Sequence, residues 1–160
     1  MVKVHEHRVE VVGRKDPLFS QLTESNLLRQ LEQYARCPHE YFEPLESSEV
    51  TEDFENNQHV LRRVLHFGPM SVEDTVTFPD SSTMVTEIAQ TKDYPASRLT
   101  IKIESSDDDT IYLRFVYEED SETPPAEDIF LSLRRKAYEE KDRGMVECFR
   151  QRVKNLSPLS

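Results

Sequence analysis

Between Ser47 and Asp120 apolar residues recur with a period of two, and no other feature limits what this chain can fold into as strongly. Successive strand residues point to opposite faces of a sheet, so this alternation describes strands with one apolar and one wet face. Five or six strands are legible, over about 48–54, 59–67, 70–78, 83–90, 98–104 and 110–118. Turn-forming residues separate them: Glu55-Asn56-Asn57, Gly68-Pro69, Pro79-Asp80-Ser81-Ser82 and Ser105-Ser106-Asp107-Asp108-Asp109. Connections this short pair neighbouring strands antiparallel, because a parallel crossover takes about a dozen residues or more.

The alternation also assigns faces. Leu61, Leu65 and Phe67 share a face with Arg63, and Val72, Val76 and Phe78 share one with Asp74. With Gly68-Pro69 as a two-residue loop, Phe67 lies opposite Met70, Leu65 opposite Val72, Leu61 opposite Val76 and Arg63 opposite Asp74. An opposite-charge cross-strand pair then sits in the middle of an apolar face. Further on, Leu99, Ile101 and Ile103 share a face, as do Ile111, Leu113, Phe115 and Tyr117. Over 83–90 two faces compete, Met84, Thr86 and Ile88 against Val85, Glu87 and Ala89.

Helices flank this block. Val9, Val11 and Val12 mark a first strand, broken by Gly13-Arg14-Lys15-Asp16-Pro17. Thr23 is a good N-cap for a helix whose apolar residues, from Leu27 to Ala35, fall at spacings of three and four until about Cys37. Tyr41 and Phe42 belong to a second short helical piece between Pro38 and Pro44. After a polar linker, Pro124-Pro125-Ala126-Glu127-Asp128 opens a long helix with an apolar stripe through Phe130, Leu133, Tyr138, Met145, Phe149 and Val153, interrupted at Gly144. A curling meander needs its concave face covered, and this helix is the obvious cover. The residues alone therefore give an α+β fold: a curved antiparallel sheet of about seven strands around a long C-terminal helix, with two short helices after the first strand. One domain spans 1–156, with a frayed tail at 157–160.

Composition excludes several functions. Thirty-one acidic against 20 basic residues give a net charge of −11, which disfavours nucleic acid and anionic lipid alike. No apolar run approaches the roughly 18 residues of a membrane span, and the opening residues do not read as a signal peptide. Two distant cysteines, Cys37 and Cys148, make neither a disulfide framework nor a zinc spacing, so the expected setting is cytoplasmic. With only three glycines there is no phosphate-cradling loop, and no GxSxG elbow occurs. His5 and His7 share a strand face, yet no carboxylate or cysteine joins them at ligand spacing, so no metal is expected. Asp107-Asp108-Asp109 reads as a solvated hairpin tip.

The polar residues on the inner face are the candidates for chemistry. Arg63 and Asp74 either orient a polar ligand group in an internal cavity or form a self-satisfied pair that fixes register. Tyr117 and Tyr138 either offer phenols to a carbonyl or are core residues with a wet hydroxyl. Arg134 either reaches the same space or lies on the surface.

Several local strings resemble a known family. They are Asp16-Pro17-Leu18, Leu22-Thr23, Arg36-Cys37-Pro38 with Phe42, His66-Phe67-Gly68, Val72-Glu73-Asp74-Thr75-Val76-Thr77-Phe78, Leu113-Arg114-Phe115-Val116-Tyr117-Glu118 and Lys136-Ala137-Tyr138. In this order and spacing, over about residues 4–155, they resemble the AtaL-like group of the START-like, helix-grip superfamily (SRPBCC, or Bet-v-type). The resemblance implies a deep hydrophobic pocket between the curved sheet and the last helix, for a lipid, sterol or polyketide-like molecule, and no cofactor. It implies either a cyclase- or isomerase-type enzyme of secondary-metabolite biosynthesis or a non-catalytic carrier, and leaves open a homodimer or a partner biosynthetic enzyme. In such a pocket Asp74, Arg63, Tyr138 and Tyr117 are the candidate catalytic residues. Leu61, Leu65, Val72, Val76, Leu99 and Ile101 are expected on the sheet side of the wall, joined by Leu113 and Phe115. Phe130 and Arg134 are expected on the helix side. The chain departs from its kin over Glu139–Gly144, where Gly144 is expected to mark a kink at the pocket mouth.

Overall fold

The computed structural model describes residues 1–156, so the expected tail lies outside the described residues. Seven strands form one antiparallel sheet: β1 (Val2–Val12), β2 (Ser47–Glu55), β3 (Gln58–Phe67), β4 (Met70–Asp80), β5 (Thr83–Ile88), β6 (Ser97–Ser105) and β7 (Ile111–Glu119). Their spatial order is β1-β7-β6-β5-β4-β3-β2, a meander closed at one end by the return of the first strand. Two α-helices complete the fold, α1 (Glu24–Arg36) and α2 (Ile129–Leu156), with a one-turn 3-10 helix at Pro38–Glu40. This is the expected helix-grip α+β architecture.

Local chemistry places the helix ends. Thr23 caps α1, its Oγ1 accepting from the Asn26 amide at 3.1 Å. The second short helix is only the 3-10 turn, and Tyr41 and Phe42 follow it. α2 begins at Ile129 instead of Pro124. Pro125 biases the preceding residue to extended backbone, and Asp128 is the cap, its Oδ1 accepting from the Leu131 amide at 3.0 Å. The helix then runs through Gly144 as one uninterrupted element. A Cβ at Gly144 would meet nothing within 4 Å. Gly144→Ala is therefore expected to raise the unfolding free energy by about 0.5–1 kcal/mol, read as a higher urea midpoint at unchanged m.

The β3–β4 register follows the alternation: Phe67 pairs with Met70, Leu65 with Val72, Arg63 with Asp74 and Leu61 with Val76. In β5 the inward face carries Met84, Thr86 and Ile88, which resolves the competing patterns. The outer face is wet and cross-linked by ion pairs, such as Arg62 with Asp53 and Glu55, both at 2.9 Å. Individually such exposed pairs contribute little.

The core fills one end of the molecule. Leu27 and Leu31 of α1, Phe149 and Val153 of α2, and Leu113 and Phe115 of β7 belong to one buried cluster. Gln30 Nε2 ties the helices together by donating to the Phe149 carbonyl at 3.0 Å. β1 carries two irregularities, between Lys3 and His5 and between Glu10 and Val12, which leave Val4 and Val11 outside the ladder with β7. The carbonyls of these two residues accept from α2: Val4 from Arg135 at 3.1 Å and Val11 from Arg150 at 2.8 Å. Bulges are where a strand's polar groups become free for such use.

Candidate functional site

Toward the N-terminal end of α2 the sheet and helix part around a cavity of about 300 Å³. Two rows of cross-strand neighbours supply much of its floor. One runs Arg63, Asp74, Ile88, Ser97, Glu119, and the other continues from Thr86 through Leu99 to Tyr117. Tyr34 of α1 together with Pro38, Phe42 and Leu45 closes one side, while Tyr138 and Lys141 of α2 close the other. The cavity is thus bounded by the first helix and its following loop as well as by sheet and last helix.

Arg63 and Asp74 meet side by side. The guanidinium donates from Nε to Asp74 Oδ1 at 2.7 Å and from Nη2 to Oδ2 at 2.6 Å. Its Nη1 donates to the Ala35 carbonyl at 3.0 Å, a carbonyl in the last turn of α1. The side chains are only 5% and 2% exposed. Two parallel charge-assisted bonds of this kind are strong and directional. Because all three guanidinium nitrogens are engaged within the protein, the pair sets the cavity wall and ties α1 to the sheet.

A second polar cluster lies between β1, β7 and α2 and centres on Asp142, a residue that the sequence did not mark. Asp142 is 1% exposed. The Tyr117 hydroxyl donates to its Oδ2 at 2.6 Å, and His7 Nε2 hydrogen-bonds the same oxygen at 2.7 Å. Lys141 Nζ is 3.8 Å from Asp142 Oδ1. His5 stacks on His7 with ring centroids 5.2 Å apart, and its Nε2 is 3.2 Å from Glu139 Oε2. Burial lowers the His5 pKa, with the neighbouring His7 adding to the fall and Glu139 opposing it. Burial raises the Tyr117 pKa, and the Asp142 charge and hydrogen bond push it further up. Lys141 is shifted down by burial against the pull of Asp142.

The rings of Tyr117 and Tyr138 stack with centroids 4.0 Å apart. Arg134 donates from Nη2 to the Tyr138 hydroxyl oxygen at 3.0 Å and also pairs with Glu119. That bond uses a lone pair of Tyr138, leaving its O–H free to donate. Half-buried Tyr34 is raised in pKa by desolvation, with Arg63 opposing.

Of the residues expected at the site, Arg63, Asp74, Tyr117, Tyr138, Leu65, Leu99 and Ile101 line the cavity. The others stand elsewhere. Phe130 is 73% exposed on the outer side of α2. Stepping back from Tyr138 by two helical turns, seven residues, reaches Leu131, which is buried, and leaves Phe130 out of phase by one. Leu113 and Phe115 are fully buried in the filled end of the core. Leu61 and Val76 are likewise core. Val72 lies past Ile88, the end of β5, whose partner on β4 is Asp74, so on the β5 side no strand continues the wall there. Arg134 sits outside the lining and acts on it through Tyr138.

Comparisons with known proteins bear on the family and the fold. The model of the AtaL family, described as acetylaranotin biosynthesis cluster protein L, matches residues 13–155. Among solved structures, the chain is similar to the di-domain ARO/CYC StfQ from the steffimycin biosynthetic pathway, with TM-score 0.62, 10% identity and coverage of 97% of this chain and 53% of that one. It therefore spans about half the length of that protein. The Zhui aromatase/cyclase from Streptomyces sp. R1128 aligns with TM-score 0.58 and 13% identity over 93% of this chain and 94% of that one. A START superfamily protein from Mycobacterium smegmatis aligns with TM-score 0.52 and 15% identity over 96% and 98%. At these identities the likeness is one of fold. No curated protein sequence matches. No helix among the described residues is long and apolar enough to cross a membrane.

Proposed function

Because the chain belongs to the AtaL family, we propose that residues 1–156 act as one cofactor-independent START-like domain that takes an apolar small molecule of secondary metabolism into its cavity and promotes a cyclase- or isomerase-type step on it. The observation that carries this reading is the cavity itself: about 300 Å³, with largely apolar walls broken by the phenols of Tyr34, Tyr117 and Tyr138, the Arg63–Asp74 pair and the Lys141 amine. This volume stands at the small end of the usual range for ligand pockets. The names of the StfQ and Zhui structures support the same class of chemistry.

The geometry gives each polar group a role. The walls hold the substrate in one conformer, where proximity and orientation lower the barrier. The Tyr138 O–H, free because Arg134 occupies a lone pair, donates to a substrate carbonyl and stabilises charge developing on its oxygen. Tyr117 has its proton committed to Asp142, so its oxygen accepts, with the Asp142 carboxylate behind it as proton acceptor and His7 holding that carboxylate in place. Arg63 and Asp74, satisfied by each other, shape the wall and do not exchange protons.

A carrier without turnover is the second reading, favoured by that same self-satisfaction of the Arg63–Asp74 pair. The two readings share a test of binding and separate on turnover. With 2-naphthol and larger fused-ring phenols as probes, saturating ligand should raise Tm by several degrees, as expected for a ligand at about 100 times its Kd. Thr86→Phe, which fills the cavity from β5, should abolish that rise while leaving the unliganded protein folded. A rise that survives Thr86→Phe, or no rise with any probe, defeats both readings. Product formation lost in Tyr138→Phe with binding retained selects the enzyme.

A further inference from the structure

Lys141 is the primary amine among the residues that line the cavity. The cavity's other nitrogen cations, Arg63 and Arg98, are guanidinium groups and cannot act as nucleophiles. From its place on α2 the Lys141 amine reaches the stacked phenols, with Nζ 5.3 Å from the Tyr117 ring centroid and 5.9 Å from that of Tyr138. Asp142 Oδ1 stands 3.8 Å away, beyond a direct hydrogen bond, while Asp142 Oδ2 is held by Tyr117 and His7. The side chain keeps 34% of its surface accessible, so a molecule in the cavity can touch it.

We propose that Lys141 is a carbonyl-capturing nucleophile, forming a reversible imine with an aldehyde or reactive ketone held in the cavity. The inference rests on the small-molecule reading of the cavity and adds the chemical class of the ligand. In the first step the neutral amine's lone pair adds to the carbonyl carbon. The nitrogen gives up one proton and the former carbonyl oxygen gains one, yielding a carbinolamine. The hydroxyl group then leaves as water with a second proton, and the nitrogen lone pair forms the C=N bond. Overall, amine and carbonyl give imine and water, with no oxidant or reductant. Asp142 is placed to receive the first proton and return it to the departing oxygen. The protonated imine is a cation, and Asp142 and the two phenol faces lie where they stabilise it. The lowered Lys141 pKa agrees with a larger share of free amine than an exposed lysine has.

The test is reductive trapping. The wild-type protein is incubated at neutral pH with 2-naphthaldehyde and sodium cyanoborohydride, and the adducts are mapped by peptide mass spectrometry. Binding of 2-naphthol, which has the same ring system and no carbonyl, is measured in parallel by fluorescence. Labelling at Lys141 should exceed that at Lys3, Lys15 and Lys102 by about tenfold or more, fall when 2-naphthol is present, and vanish in both Lys141→Arg and Lys141→Met. If 2-naphthol binds and Lys141 reacts no faster than those surface lysines, the imine proposal is overturned and the ligand reading stands. If 2-naphthol does not bind and the adducts are spread over the lysines, both fall together.

Discussion

Asp74→Ala should lower the unfolding free energy by about 3–5 kcal/mol, the cost of leaving a buried guanidinium without its partner. Arg63 directs two of its three nitrogens at Asp74, and the side chains are 5% and 2% exposed, so water cannot replace the lost carboxylate. The third nitrogen holds the Ala35 carbonyl near the end of α1, and its alignment depends on the pair. Urea unfolding should show the loss as a lower midpoint. The informative control is the double change Arg63→Met with Asp74→Leu, which removes both charges and refills the space. It should cost far less than Asp74→Ala alone, because the desolvation penalty of both ions goes with them. A single-mutant cost below about 1 kcal/mol would show that the pair does not hold α1 to the sheet.

The second large effect is at Asp142. Asp142→Ala leaves the Tyr117 hydroxyl and His7 Nε2 without an acceptor in a buried site, and about 3 kcal/mol of stability should be lost. The same carboxylate adds to a pH dependence at the alkaline end. The pKa of Tyr117 is raised in the folded protein, first by burial and then by Asp142, while in the unfolded chain it stays near 10. The protonated phenol therefore favours the fold, fully below about pH 10, and this share is lost as pH rises and the unfolded chain ionises first. Tyr34 and Tyr41 are shifted in the same direction by burial and add to the slope. Stability measured between pH 9 and 11 should accordingly fall less steeply in Tyr117→Phe than in the wild type. Equal slopes would remove Tyr117 from the linkage.

What was legible in the sequence had local causes. A two-residue turn at Gly68-Pro69 and strict alternation on both sides specify the β3–β4 register, and Arg63 meets Asp74 as that register requires. Asp142 was not legible, because its partners are distant along the chain, His7 by 135 positions and Tyr117 by 25. One signal did exist. The helix stripe 138, 145, 149, 153 has an empty slot at 142, and a carboxylate filling it reads as an interruption unless a partner is known. Phe130 misled for a related reason: an aromatic residue near the helix start was taken into the stripe, although the phase set further along selects Leu131. Whether Arg63 and Asp74 had spare hydrogen-bonding capacity turned on the Ala35 carbonyl, a contact between elements that no strand pattern encodes.

The two arginines that reach from α2 to Val4 and Val11 have a consequence for how molecules of this protein meet one another. A free strand edge is an invitation to a second chain, which can extend the sheet by its backbone alone. On the β1 side the carbonyls released by the bulges are already taken by Arg135 and Arg150, and the strand is bent at both places. On the β2 side the rim carries Glu49, Glu52, Asp53 and Glu55, tied back into their own molecule by His66, Arg36 and Arg62, so a second strand would meet a hydrated, charged border. One border is bent and partly occupied and the other is charged, two devices by which a seven-stranded sheet is kept from growing at its edges.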